Sequence, residues 1–298
     1  MNRKIRKVLR WTRWILLTIV LLPVVSMVLI KLSGSMKMRK SDDQILGALH
    51  SYPIEKKIDT ITFGRSHLVY LLTSKEGKKK SKAIVFVHGS PGSLDGYMQY
   101  MHNDSLLSEA DLIAYDRPGF GHSDFGKSLP SLRGQANALY ELMKQLDYEQ
   151  YWLVGHSYGG PIIMQAVIDR PQRIAGICIV AGSVVYAMEP VAAWRKWLDL
   201  PFIRILMPTA LRVSNEELMS LRRDLRMIDD DWNEVKMPVS LIHGTKDKLV
   251  PYGNLPLAKE KLMNSDTVRT LIFEDENHFI LWTQTEQIVK ELLKLINL

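Results

Sequence analysis

The chain has 298 residues, 46% of them hydrophobic, and a formal net charge of +7 at pH 7. That is length enough for one large α/β domain with an appendage. The charge does not mark a nucleic-acid-binding protein: ten of the 39 Lys and Arg stand in residues 1–40, where there is no Asp or Glu, which leaves 29 basic against 32 acidic residues, and no basic groove is interleaved with aromatics.

Taken in chain order, the first element is apolar. Arg3, Lys4, Arg6, Lys7, Arg10 and Arg13 precede an uncharged run of seventeen residues, Trp14–Ile30. As a helix this run spans about 26 Å, the short end of what a bilayer core needs. A membrane helix absorbs a proline such as Pro23, and indoles such as Trp11 and Trp14 sit at its interface. Residues 1–13 are therefore expected to be a basic flank and 14–30 a transmembrane anchor in the lipid bilayer, which makes the protein single-pass. Six basic residues before the span against Lys31, Lys37, Arg39 and Lys40 after it put the remainder on the non-cytoplasmic side. A cleaved secretory signal is the rival, although the apolar run is long for one and Lys31-Leu32-Ser33-Gly34-Ser35 is a weak cleavage site.

Residues 31–55 read as a polar tether with a short amphipathic piece at Ile45, Leu46 and Leu49. Ile58–Phe63 and His67–Leu72 form a predicted hairpin around Gly64-Arg65. Lys78-Lys79-Lys80 reads as a solvated loop or a contact for anionic headgroups. Ala83–Val87 and Leu112–Tyr115 are continuous apolar runs, the pattern of strands covered on both faces of a parallel sheet. A helical stripe follows over 130–146 (Leu132, Ala136, Leu139, Tyr140, Met143, Leu146). Tyr151–Val154 is a strand that leads into a helix ending near Arg170. Ile174–Val180, Val239–Ile242 and Val268–Phe273 are further buried strands, and Phe279–Ile296 is a closing amphipathic helix.

Strands alternating with helices predict an α/β fold with a doubly wound, mostly parallel sheet over 56–298. The alternation breaks over about 184–236, a helical stretch that reads as an inserted cap. Its segment Trp194–Met207 is apolar and basic, a pattern that lines an acyl pocket, touches a membrane, or packs as an ordinary cap helix. Cys178 is the single cysteine, set in a buried strand, so no intramolecular disulfide forms and the thiol acts as a small hydrophobe.

The chemistry centres on Gly155-His156-Ser157-Tyr158-Gly159-Gly160. A strand, a Gly-x-Ser-x-Gly turn and a helix make the context of a nucleophile elbow. The turn is sharp, and Gly155 and Gly159 meet its need for residues without a Cβ. A serine hydroxyl is a weak nucleophile and needs a base that a third group orients. Asp247 stands just after strand Val239–Ile242, and His278 just after strand Val268–Phe273. Serine, acid and histidine thus lie at one edge of three strands, in the chain order such a turn requires. His88, His122, His156 and His243 also fall in strand-end loops and read as structural. Asp275 and Glu274 stand too near His278 in sequence to orient its ring. The oxyanion of a tetrahedral intermediate needs two backbone N–H donors, expected from Tyr158 and Ser90, because Pro91 has none. The Ser90 hydroxyl is a further candidate donor.

Five ordered motifs carry a resemblance: His88-Gly89-Ser90-Pro91-Gly92, Asp116-Arg117-Pro118-Gly119-Phe120-Gly121-His122-Ser123, the Ser157 elbow, Gly244-Thr245-Lys246-Asp247-Lys248-Leu249-Val250-Pro251, and Asn277-His278-Phe279. Over residues 56–298 the chain resembles the α/β-hydrolase superfamily, in its esterase- and lipase-like capped branch. The resemblance departs at Asn277, where that family often has Gly. It implies a serine hydrolase of carboxylic esters acting on a small-molecule ester or acyl substrate, with no metal or cofactor, and the amino-terminal run makes that hydrolase membrane-anchored. Serine at 157 argues against epoxide-hydrolase or dehalogenase chemistry. Hydrolysis of another acyl or carbon–carbon bond, acyl transfer, and a catalytically silent binding module are the alternatives.

Overall fold

The apolar runs become neighbouring strands of one eight-stranded sheet, in a computed structural model that describes residues 3–34, 38–75, 77 and 80–298. The strands are β1 (Glu55–Phe63), β2 (Ser66–Ser74), β3 (Lys82–Val87), β4 (Asp111–Tyr115), β5 (Gln150–His156), β6 (Ile174–Val180), β7 (Val239–Gly244) and β8 (Val268–Phe273). Their order is β1-β2-β4-β3-β5-β6-β7-β8. β1 and β2 form the expected hairpin, and β2 joins β4 antiparallel. β4, β3, β5, β6, β7 and β8 pair in parallel. Lys78 and Lys79 of the lysine run lie outside the described residues.

The helices are α1 (Arg3–Ser33), α2 (Asp42–Ala48), α3 (Asp104–Glu109), α4 (Leu132–Leu146), α5 (Gly159–Asp169), α6 (Arg195–Leu198), α7 (Pro201–Leu206), α8 (Thr209–Met227), α9 (Asn254–Lys261), α10 (Ile280–Thr283) and α11 (Thr285–Ile296). Two apolar layers cover the sheet. Ala83, Val85 and Val87 of β3 face the layer that holds α4, α5 and α9, whereas Ile84 and Phe86 face the layer that holds α3 and α11. Cover on both faces is why β3 and β4 are apolar without alternation. Each fully buried aliphatic side chain contributes about 1.5–3 kcal/mol relative to exposure.

Three expectations need correction. β8 is an edge strand, and its Thr270 and Ile272 are exposed, so it is only partly covered. The closing helix breaks at Gln284 into α10 and α11. The tether is partly core: Ser41 and Gln44 form a capping box that starts α2, and Ile45 and Leu49 are buried beneath the sheet. A capping box satisfies two N–H groups that a helix start otherwise leaves open.

The amino-terminal expectation is overturned. Among the described residues no helix is long and apolar enough to cross a membrane. A single-pass anchor at 14–30 in the lipid bilayer, with the domain on the non-cytoplasmic side, is therefore not supported. The uncharged run has seventeen residues, the lower limit of what a bilayer core needs, and Arg13 and Lys31 bound it. The end of α1 lies against α7, where Lys31 Nζ donates to the Ile205 carbonyl.

Between β6 and β7 the chain leaves the sheet and forms α6, α7 and α8. These two strands are neighbours, sixth and seventh in the sheet, so the excursion leaves and re-enters it next to the edge strand β8. The parallel strands point their carboxyl ends one way, and ligands of open α/β sheets bind there.

Candidate active site

Ser157 sits between β5 and α5 with φ at +54°, a left-handed conformation that side chains other than glycine rarely adopt. The flanking glycines make this turn feasible. A Cβ on Gly155 would lie 2.5 Å from the Gly159 carbonyl oxygen, and a Cβ on Gly159 would lie 2.1 Å from that of Val87. The turn is closed by Ser157 N–H donating to Val180 O (3.0 Å) and Gly160 N–H donating to Ser157 O (3.0 Å). The N-terminus of α5 lies directly behind it, so its partial positive charge faces this region.

Asp247 and His278 come together from the ends of β7 and β8. His278 Nδ1 donates to Asp247 Oδ2 at 2.7 Å. Asp247 Oδ1 accepts the Leu249 and Val250 N–H groups, both at 2.8 Å. Burial pushes the Asp247 carboxyl up, but hydrogen bonds from His243 and His278 and the Val250 N–H outweigh it, and the group is held well below the usual carboxylate range. Asp247 is an anion locked in place, and it presents the other imidazole nitrogen of His278 to its surroundings.

Ser157 and His278 line one cavity of about 890 Å³, with Ser90 and Tyr158 also in its wall. Among the described residues the Ser157 hydroxyl makes no hydrogen bond, and catalytic bonds of this kind often tighten only when substrate is present. Neither the Ser90 N–H nor the Tyr158 N–H has a hydrogen-bond partner among the described residues. Ser214, Leu218 and Leu221 of α8 form much of the cap wall. Of the segment Trp194–Met207, only Arg195 reaches the cavity, while Trp197, Phe202 and Ile205 are exposed.

The other strand-end histidines are tied to backbone. His156 Nε2 donates to His278 O (3.2 Å), and burial, with the charge of His278, pushes it down to about 3. His88 donates Nδ1–H to Gly89 O (2.8 Å) and accepts the Arg117 N–H at Nε2 (3.0 Å). Burial and the Arg117 charge hold it well below its ordinary value. His243 Nε2 donates to Val250 O (3.0 Å), and His122 Nε2 to Lys40 O (2.9 Å).

Sequence reasoning missed one group. The Ser90 hydroxyl, a candidate oxyanion donor, is instead given to Glu217 of α8 at 2.5 Å. Glu217 also meets Arg117 (2.7 Å), and both side chains are fully buried. Burial pushes the Glu217 carboxyl up, against the pull of Arg117 and Ser90. Burial likewise penalises Arg117, but the Glu217 charge outweighs this and keeps the guanidinium charged. The available signal was an acid inside the buried stripe of α8 (Ala210, Val213, Ser214, Glu217, Leu221).

The family described as alpha/beta hydrolase fold matches residues 82–209, the segment from β3 through the elbow to the start of α8. Over that segment the chain is similar to the alpha/beta hydrolases. The chain is 29% identical over 154 residues, 49% of its length, to a dihydrolipoyllysine-residue acetyltransferase component of an acetoin cleaving system from Cupriavidus necator, and it spans 41% of that relative's length. It is 22% identical over 251 residues, 74% of its length and 87% of the relative's, to a poly(3-hydroxyalkanoate) depolymerase from Ectopseudomonas oleovorans. The solved structure of the esterase EaEST from Exiguobacterium antarcticum superposes with a TM-score of 0.61 at 16% identity, covering 78% of this chain and 96% of that one. At that identity the likeness is one of fold.

Proposed function

We propose that this protein is a hydrolase that cleaves carboxylic esters through an acyl-enzyme on Ser157. His278 is the general base, Asp247 its orienting anion, and the Ser90 and Tyr158 N–H groups the oxyanion donors. The observation that carries the reading is the 2.7 Å bond from His278 to the buried Asp247, with His278 and Ser157 lining the same cavity. The esterase and depolymerase names among its likenesses support an ester substrate.

In this reading Ser157 Oγ attacks the ester carbonyl and His278 Nε2 takes the hydroxyl proton. The developing oxyanion is met by two preset N–H dipoles, each worth roughly 10²–10³ in rate where such donors have been removed. Collapse expels the alkoxide, which takes the proton back from His278. Water then repeats the sequence on the acyl-enzyme and frees the acid and Ser157. Asp247 stays ionised throughout and stabilises the imidazolium.

Labelling of the purified full chain with a fluorophosphonate, followed by mass mapping, tests the assignment without knowledge of the substrate. One adduct on Ser157, lost in His278→Ala, is the expected result. An adduct elsewhere, or ester turnover that persists in Ser157→Ala, overturns it. Transfer to an acceptor other than water would show as an acylated product in place of free acid.

A further inference from the structure

Glu217 has all its accepting positions filled. Oε1 accepts from Arg117 Nη1 (2.7 Å) and Gln135 Nε2 (2.8 Å), and Oε2 from Ser90 Oγ (2.5 Å) and Arg117 Nη2 (3.1 Å). Arg117 in turn donates Nε to His88 O (2.9 Å) and Nη2 to Gly89 O (2.9 Å). Three consecutive residues of the loop after β3 are therefore held by one ion pair whose acid belongs to cap helix α8. The Arg117 guanidinium also lies 5.0 Å from the centroid of the Tyr158 ring. Between them Glu217 and Arg117 touch both proposed oxyanion donors, Glu217 at the Ser90 hydroxyl and Arg117 at the Tyr158 ring.

Stability alone is a poor account of this pair. Two buried charges cost several kcal/mol each to desolvate, and apolar replacements of such pairs are often neutral or stabilising. A carboxylate held by four hydrogen bonds is also rigid, and rigidity is what a preset pair of oxyanion donors requires.

We infer that Glu217 is a positioning residue of the oxyanion hole: through Arg117 and the Ser90 hydroxyl it sets the aim of the Ser90 and Tyr158 N–H groups, and so makes turnover depend on the seating of the cap. The inference rests on the roles proposed above for Ser157, Ser90 and Tyr158. Loss of the Glu217 contacts lets the loop drift relative to the elbow. The consequence falls on the transition state, where the oxyanion exists, and not on ester binding.

The test is steady-state kinetics of the full chain on a short p-nitrophenyl ester, with thermal melts alongside. Ser90→Ala removes one hydroxyl and leaves Glu217 paired with Arg117 and Gln135, so this variant keeps its fold. Glu217→Gln removes the charge and keeps the shape. Both should lose kcat by about 10-fold or more, with KM within about twofold of wild type. If Glu217→Gln does not fold, Ser90→Ala decides the matter alone. A wild-type kcat in folded Ser90→Ala, or a loss confined to KM, overturns the inference while the triad stands. Turnover that persists in Ser157→Ala overturns the triad and this inference together.

Discussion

Asp247 holds His278 with one carboxylate oxygen and the Leu249 and Val250 N–H groups with the other, all at 2.7–2.8 Å. The acid is thus fixed by its own loop before it orients the imidazole. The division of labour between its two oxygens makes the site sensitive to a change that keeps the acid's shape.

Asp247→Asn should leave the fold intact and nearly abolish turnover. If the amide oxygen keeps the two backbone N–H groups, its NH₂ faces His278 Nδ1. The ring must then carry its proton on Nε2, where it cannot accept one from Ser157. We expect kcat to fall by about 10³–10⁴-fold at wild-type circular dichroism. A loss smaller than about tenfold would sink the orienting role.

Acid should destabilise the protein, and Asp116 should moderate the effect. Burial holds His156 at about 3 and His88 well below its ordinary value. Between about 6.5 and those values the unfolded chain binds protons that the native state refuses, so stability falls as pH falls, by roughly 1.4 kcal/mol per unit for each histidine. Asp116 has the opposite sign. Burial raises it to about 6 against the Leu94 and His122 N–H bonds, so its contribution is full at low pH and is lost as pH rises through that value. Glu217 and Glu189, also raised by burial, act in the same sense as Asp116. Urea midpoints between pH 7 and pH 5 should fall more steeply in Asp116→Asn than in wild type. A shallower fall in the variant would contradict the assignment.

Two glycine substitutions should part company. Gly121 has φ at +50°, and a Cβ there would lie 1.9 Å from Asp116 Cγ. Gly121→Ala should cost more than about 2 kcal/mol, through backbone strain and overpacking together. Gly47, inside α2, has nothing within 4 Å of such a Cβ. Gly47→Ala should stabilise by up to about 1 kcal/mol. Equal urea midpoints for the two variants would show that these contacts do not govern stability.

Cys178 should be silent toward thiol reagents in the native protein. It is fully buried, and burial pushes the thiol far up, which leaves little thiolate to react. Ellman's reagent should find no thiol without denaturant and one in urea. Rapid native labelling would show that β6 opens readily.

Much of the site was legible before the fold. Strand-end position and chain order single out Ser157, Asp247 and His278, and in the structure Asp247 is bonded to His278, which lines one cavity with Ser157. The elbow was legible because its constraint is local: Gly155 and Gly159 stand two residues either side of Ser157, and the clash they avoid is with backbone close by. The covered strands were legible because burial on both faces removes polar residues from a run. The edge character of β8 was not, since Val268–Phe273 is apolar enough to pass for a covered strand and only its place in the sheet exposes one side. The amino-terminal run misled for a related reason. Hydropathy over Trp14–Ile30 reports apolarity, but a crossing also requires length, and the end of that helix lies against α7.

By itself the sequence determined the order of strands and helices, the elbow geometry and the strand-end residues that face the cavity, because periodicity and glycine sterics act over a few residues. Tertiary structure alone decided what Glu217 does. Its partners Arg117 and Ser90 lie 100 and 127 residues away in the chain. No local pattern encodes such a meeting, because a buried charge is tolerated only where folding delivers its counter-charge and every remaining hydrogen bond.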